Sequence, residues 1–295
     1  MKKVTIGYIF NEEKLTKDEE AFLELAGSRG INLVMINTSK DISEEDLKEK
    51  AKKCDLFFNN SAEEFSTEIV KTLEEMGEKV IDSSKKLYYE EDKWLFFLKC
   101  EKNKIPTIRT ILLSENINTA KKELEKFNSW PVILKRVQGT MGQYVDKADN
   151  LRKAEHIIKK FWKKGSERLP VIAQEFIRSS SYRVTIIGKE IVQTAIKKSN
   201  GWKSTGVYLK DQNVESFEID NELKKIVKKI VKVFDIKICG LDLLKKDGKW
   251  LVLEINSDPA LDFFENERKK LIGEALDFLR NQCKSRRRNK HKKRN

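Results

Sequence analysis

Ile238-Cys-Gly-Leu-Asp-Leu-Leu244, a short charged turn, and Trp250-Leu-Val-Leu-Glu-Ile-Asn-Ser-Asp-Pro259 set three oxygen-bearing side chains, Asp242, Glu254 and Asn256, on two apolar runs that read as paired strands. The turn decides the register. With Lys246-Asp247-Gly248 as a three-residue loop and Gly248 in the left-handed region, Lys245 faces Lys249, Asp242 opposes Val252 and Glu254 opposes Gly240. Alternation then places Asp242, Glu254 and Asn256 on one face, and Leu241, Leu243, Leu251, Leu253 and Ile255 on the other. A two-residue Asp-Gly turn would shift the register by one and separate Asp242 from Glu254. The apolar pattern favours the longer loop. Two carboxylates and an amide suit a hard dication such as Mg²⁺, which keeps part of its shell for water and phosphate. The competing reading is a surface hairpin with solvated acids. Flanking apolar runs weigh against it, because buried carboxylates need a partner.

At 295 residues the chain can bury a substantial core and is expected to divide into two or three domains. Its charged fraction of 36% exceeds the usual quarter or so, which fits a heat-tolerant source or a biased genome. No apolar run approaches the ~20 residues of a membrane span, and the N-terminus lacks a signal-peptide core. Cys54, Cys100, Cys239 and Cys283 are scattered without metal-type spacing and read as reduced thiols of a cytoplasmic protein. Histidine occurs only at His156 and His291, which argues against a His-based triad or a zinc centre. Chemistry is left to carboxylates, lysines, arginines and a metal.

The net charge of +13 is uneven: residues 284–295 carry eight Lys/Arg and no acid. Such a block is expected to be a disordered basic tail, either solubilising or in contact with RNA or the ribosome through phosphates.

Residues 1–84 alternate strand and helix: strands at 4–10, 31–37, 54–60 and 79–81, helices at 18–30, 44–53 and 63–77. That rhythm predicts a small parallel sheet covered by helices. No GxGxxG loop follows the first strand, so a standard dinucleotide site is excluded. Helices are expected at 89–103, 119–127, 221–234 and 266–282, with strands at 107–113, 131–137 and 170–177 and a hairpin over 182–197. The 131–137 strand carries Lys135 and leads into Gln138-Gly-Thr-Met-Gly-Gln-Tyr144. A glycine-bearing turn after a strand can bring backbone N–H groups to phosphate oxygens beside a neutralising lysine, although an ordinary hairpin turn is the simpler account.

These pieces, taken in order, resemble the ATP-grasp superfamily, and within it the RimK-like amino-acid ligases. The resemblance rests on Glu91-Asp-Lys93, Val132-Ile-Leu-Lys135, Gly139-Thr-x-Gly142, Gln174-Glu-Phe-Ile177, Tyr182-Arg183, Gly188, Lys203-Ser-Thr205, Gly240-Leu-Asp242 and Leu253-Glu-Ile-Asn-Ser-Asp-Pro259. It implies a mixed α/β and α+β fold: a Rossmann-like pre-grasp domain over 1–84, then a two-subdomain ATP-grasp domain over 85–283, divided at 176/177, with the metal site in the second subdomain. It also implies ATP held by Lys93, Lys135, Gly139, Gly142, Gln174, Glu175, Phe176, Ser181, Lys203, Ser204 and Thr205. Asp242, Glu254 and Asn256 would bind two Mg²⁺ (Mn²⁺ as a substitute), with Arg183 and Lys203 as catalytic cations.

The implied reaction is ATP-dependent amide formation through an acyl phosphate, joining an amino acid such as glutamate to a small molecule or a protein terminus. Departures fall near phosphate, sugar and acceptor. Lys203 and Thr205 replace an arginine and an asparagine, Ser181 stands where an acid usually meets the ribose, Gln143-Tyr144 replaces a flap glycine, and Asp258 and Ala260 flank Pro259. Two alternatives stay open: a kinase on the same scaffold resembling the inositol polyphosphate kinases, and a non-catalytic RNA-associated protein. A homo-oligomer is left open as well.

Overall fold

The computed structural model describes residues 3–40, 42–61, 63–139, 144–163, 169–197, 202, 214–257, 259–261 and 263–292, as backbone alone beyond Cys283. Its opening elements are β1 (Val4–Phe10), α1 (Lys17–Ser28), β2 (Ile31–Asn37), α2 (Glu44–Lys53), β3 (Leu56–Asn59), α3 (Glu64–Glu75) and β4 (Val80–Ile81). All four strands are parallel, in the order β2-β1-β3-β4. Central β1 is nearly continuous in apolar residues because both its faces are covered. Thr16 and Glu19 close a capping box at the start of α1, and Ser43 caps α2 through the N–H of Asp46.

The second group comprises α4 (Ser84–Glu91), α5 (Lys93–Lys102), β5 (Thr110–Leu113), α6 (Ile117–Phe127), β6 (Val132–Arg136), β7 (Val145–Ala148), α7 (Leu151–Lys163) and β8 (Val171–Glu175). Its antiparallel sheet runs β5-β8-β6-β7. Val132, Leu134, Val171 and Ala173 pack on one face against Leu124 of α6 and Ile157, Ile158 and Phe161 of α7. The single helix expected over 89–103 is two helices broken at Asp92. Asp92 has an extended backbone and its carboxylate accepts the N–H of Leu95, so it caps α5 and makes Lys93 the first residue of a new helix.

The third group holds β9 (Ser181–Ile187), β10 (Glu190–Lys197), β11 (Val214–Glu215), α8 (Asn221–Phe234), β12 (Ile238–Lys246), β13 (Lys249–Asn256) and α9 (Arg268–Lys292). Its sheet order is β11-β10-β9-β12-β13. Asp220 caps α8 through the N–H of Leu223 and takes the indole N–H of buried Trp250 on its other oxygen, 2.7 Å away. The periodic face of α8 packs against Leu241, Leu243, Val252 and Ile255. Helix α9 lies against α1 and the first sheet, through Leu271, Ile272, Ala275, Leu276 and Leu279. Its backbone stays helical through Lys292, past the expected end at Gln282, so the disorder expected over 284–295 is replaced by helix as far as 292. Lys and Arg are good helix formers, and cations near a helix C-terminus are favoured by its dipole.

The β12–β13 hairpin corrects the expected register. Lys246 pairs with Lys249 around a two-residue turn in which Asp247 and Gly248 have φ of 50° and 78°, the left-handed pair that Asp-Gly turns favour. That turn alone would send Asp242 and Glu254 to opposite faces. A β-bulge restores them: Leu243 pairs with Val252, and Asp242 pairs with Glu254, leaving Leu253 as the extra residue. Pro106 and Thr107 brace the bulged strand, since the Val252 N–H donates to Pro106 O (2.9 Å) and the Thr107 hydroxyl to Val252 O (2.9 Å). Leu251 and Leu253, expected in the core, instead join Leu244, Ile108 and Ile177 in a small apolar cluster.

Asp82, just after β4, ties the first sheet to the third. Its carboxylate accepts the N–H groups of Lys237 and Ile238 at 2.9–3.0 Å, at the entry to β12. Burial pushes this carboxyl from its ordinary 3.8 up to about 6, while those two N–H groups, Lys86 and Lys237 pull it down. The folded protein therefore holds the proton more tightly than the unfolded chain, and this group's contribution to stability falls as pH rises from 3.8 to about 6. Asp82→Asn removes that dependence. Across the window the variant gains on the wild type by on the order of 1–3 kcal/mol, as read by urea unfolding at the two ends; an equal difference at both ends contradicts this.

Candidate active site

The bulge builds the site's floor. Asp242 pairs with Glu254, Gly240 with Asn256, and Arg183 of β9 with Asp242, so all of these side chains share one face of the third sheet. Arg183 is 5% exposed, and its Nη1 lies 3.0 Å from Asp242 Oδ1. The Asn256 amide donates to the other Asp242 oxygen at 3.1 Å. Gly240 makes the arrangement feasible: a Cβ there would overlap the Arg183 guanidinium, which lies across the bare backbone. Among the described residues no three His, Cys, Asp or Glu side chains cluster as a metal cage. Two carboxylates and an amide fit instead a hard dication that completes its shell with water or phosphate oxygens.

Opposite stands the second sheet. Lys135 on β6 points away from the α6–α7 core, on the face it shares with Ile133 and Gln174, and is 6% exposed. Burial pushes its ammonium pKa down; Glu254 and Asp242 oppose that shift and Lys93 adds to it. Those influences connect Lys135 across the cleft to the acidic pair on the other sheet. A cation buried so deeply calls for an anion, and phosphate is one. Lys93, aimed by the break at Asp92, donates to Gly139 O at 2.6 Å, so the two lysines flank the start of the glycine turn.

Between the sheets lies a cleft open to solvent, lined by Ile133, Lys135, Phe176, Trp202, Leu244 and Leu253 among others. Its apolar walls with a few polar groups suit a nucleotide base and sugar. Gln174 and Glu175 also line it; the Gln174 amide donates to the Thr110 hydroxyl, and Glu175 pairs with Lys246. The Lys147 ammonium sits 5.1 Å from the Phe176 ring centroid. Tyr144, the described residue ending the turn, has φ 52° and lies under the Arg136 guanidinium at 3.6 Å, which gives the residue standing in place of a flap glycine a structural use. Ser181 is buried on β9, on the same face as Arg183. Gly142, Lys203, Ser204 and Thr205 lie outside the described residues.

Lys197 escaped the sequence analysis. It pairs with Ser181 across β9–β10, two positions along from the Ala195–Arg183 pair, so it shares the face of Arg183. It is 3% exposed, with its ammonium 5.0 Å from the Phe263 ring centroid. Alternation from Arg183 through the Gly188-Lys189 turn would put it on the opposite face, because the bulge between Ile191 and Gln193 exchanges the faces of β10.

A sequence model of the RimK-like ATP-grasp domain matches residues 90–277. The chain is 29% identical over 221 residues to the coenzyme gamma-F420-2:alpha-L-glutamate ligase of Methanococcus maripaludis, covering 72% of this chain and 75% of that protein. It is 25% identical over 226 residues to a probable alpha-L-glutamate ligase of Coxiella burnetii, covering 75% and 73%. Among solved structures, a D-Ala:D-Ser ligase from Enterococcus faecalis superposes with a TM-score of 0.74 at 15% identity, over 95% of this chain and 99% of that one. A RimK domain ATP-grasp protein from Sphaerobacter thermophilus gives 0.70 at 14%, over 93% and 99%. At such identities the structural likeness establishes the fold, which is ATP-grasp.

Gly240→Ala should cost about 1–3 kcal/mol of stability by crowding Arg183. In an Arg183→Ala background the same substitution should cost little, so a double-mutant cycle by chemical denaturation reads the coupling directly. Equal costs in both backgrounds would show that the guanidinium does not need the bare backbone.

Proposed function

The chain belongs to the RimK-like ATP-grasp family, and from that membership we propose that it is an ATP- and Mg²⁺-dependent ligase that joins an amino acid, L-glutamate first among candidates, to a small molecule or a protein terminus. The observation carrying this reading is buried Lys135 lining a cleft whose other wall belongs to the hairpin that gathers Asp242, Glu254 and Asn256 on one face, with Lys93 held at the glycine turn. In the proposed reaction a carboxylate oxygen of one substrate attacks the γ-phosphorus of ATP, the bond to ADP breaks, and an acyl phosphate forms. The amine of the second substrate then attacks the acyl carbon, loses a proton and expels phosphate. The product is an amide.

Lys93 and Lys135 neutralise the phosphates, Glu175 and Phe176 border the base, Ser181 lies toward the sugar, and the turn from Gly139 to Gly142 covers the phosphates. Asp242, Glu254 and Asn256 would hold two Mg²⁺ with Glu254 shared, and Mn²⁺ is a fitting substitute. When bound, the metal stabilises charge on the transferring phosphoryl group. Arg183 and Lys203 add cations for the same oxygens, because phosphoryl transfer depends chiefly on positioning and charge neutralisation. Residues 1–84 serve as the pre-grasp domain, and the basic segment 284–295 supplies an optional polyanion contact. The kinase alternative loses ground, since the matched relatives carry ligase names.

The test is purified protein with ATP, Mg²⁺, single amino acids and candidate acceptors, with product mass as the readout. An amide-linked residue on the acceptor with free phosphate released is the expected result. Phosphate retained on the acceptor would mark a kinase, and no acceptor-dependent ADP release under any mixture would refute the ligase. Lys135→Ala should lower kcat/KM for ATP by at least about a hundredfold while the fold persists, a loss on the order of 2.7 kcal/mol of transition-state stabilisation.

A further inference from the structure

The stretch from Asp82 to Lys93 makes three contacts in order, with the entry to β12, the exit of β13 and the glycine turn. Asp82 receives the backbone at the entry to β12. Glu90, near the end of α4, accepts the N–H of Ser257 on Oε2 at 2.7 Å, just past the exit of β13. Lys93 donates its N–H to Val137 O (3.2 Å) and its ammonium to Gly139 O. The middle contact bears on the metal ligands, because Ser257 follows Asn256 directly.

Ser257 is 4% exposed, and its hydroxyl makes no hydrogen bond among the described residues, so its own side chain does not fix this point of the chain. Thr185 donates to Pro259 O at 3.0 Å, but that anchor lies three residues beyond Asn256. Past the ladder pair of Asn256 with Gly240, the backbone next to Asn256 is held by Glu90, and Asn256 in turn orients Asp242 through its amide. Partners that orient metal ligands are commonly worth about 10–100-fold in metal affinity.

We propose that Glu90 is a positioning residue for the metal site, acting through the Ser257 N–H to hold Asn256 in its coordinating place. The proposal rests on the metal-site reading above. It depends on reach and on an acceptor oxygen, not on charge. Glu90→Gln keeps an oxygen at the same distance and loses the charge; Glu90→Asp keeps the charge and falls short.

The experiment titrates Mn²⁺ into the full-length protein with ADP present and counts free Mn²⁺ by electron paramagnetic resonance, with thermal midpoints measured alongside. Glu90→Asp should weaken Mn²⁺ binding about tenfold or more, and Glu90→Gln should stay within about threefold of wild type. Wild-type protein that binds no Mn²⁺ overturns the metal-site reading and this proposal together. With wild-type binding intact, an unweakened Glu90→Asp overturns the proposal alone. So does a Glu90→Gln weakened beyond threefold, which would make Glu90 a charge acting on the ion directly.

Discussion

A β-strand has only two faces, and every residue added to or taken from a turn exchanges them. The face that gathers Asp242, Glu254 and Asn256 depends on that parity. The Asp247-Gly248 turn has two residues, which by itself would separate Asp242 from Glu254. One extra residue, Leu253, reverses the exchange halfway along the hairpin. The compensation has a second effect: the side chains between turn and bulge change sides, so Leu251 and Leu253 leave the core and join Leu244 beneath the cleft. A single bulge thus brings the acidic cluster together and supplies part of the apolar wall beside it.

Charge inside the cleft is arranged in opposed layers. On one sheet Arg183 lies between Asp242 and the bare backbone of Gly240. On the other, Lys135 is buried and its ammonium disfavoured, with partial relief from Glu254 and Asp242 across the gap. Buried charges of this sort are costly in a resting protein and useful where a polyanion must be bound away from water. Phosphate oxygens and a divalent ion are complementary to the two layers together.

Such a cleft works only if its two sheets keep their separation. The stretch joining β4 to α5 contributes to that by contacting both sides: Asp82 at the entry to β12, Glu90 at the exit of β13, and Lys93 at the glycine turn. The break at Asp92, which the apolar pattern concealed, aims Lys93 at the turn by starting a fresh helix there. Differences from the RimK pattern are partly intelligible. Tyr144 in place of a glycine packs against Arg136, and Ser181 is buried on the face of Arg183.

The sequence by itself determined the elements whose pattern is local: the strand over Val4–Phe10, the helices Glu44–Lys53 and Asn221–Phe234, and the apolar strands carrying Lys135 and Asp242. Motif order named the family, residue chemistry singled out Lys135, Asp242, Glu254 and Asn256 as candidates, and the resemblance added Lys93 and Arg183. Tertiary structure alone decided the bulge at Leu253, which is stable because Pro106 and Thr107, far away in the chain, satisfy the strand's free edge at Val252. It also decided the roles of Asp82, Glu90 and Lys197. Their partners lie 155 or more residues away for Asp82 and Glu90, and for Lys197 on the neighbouring strand. Periodicity reports only which face a side chain takes within its own segment, while burial and contact across segments depend on how the sheets meet.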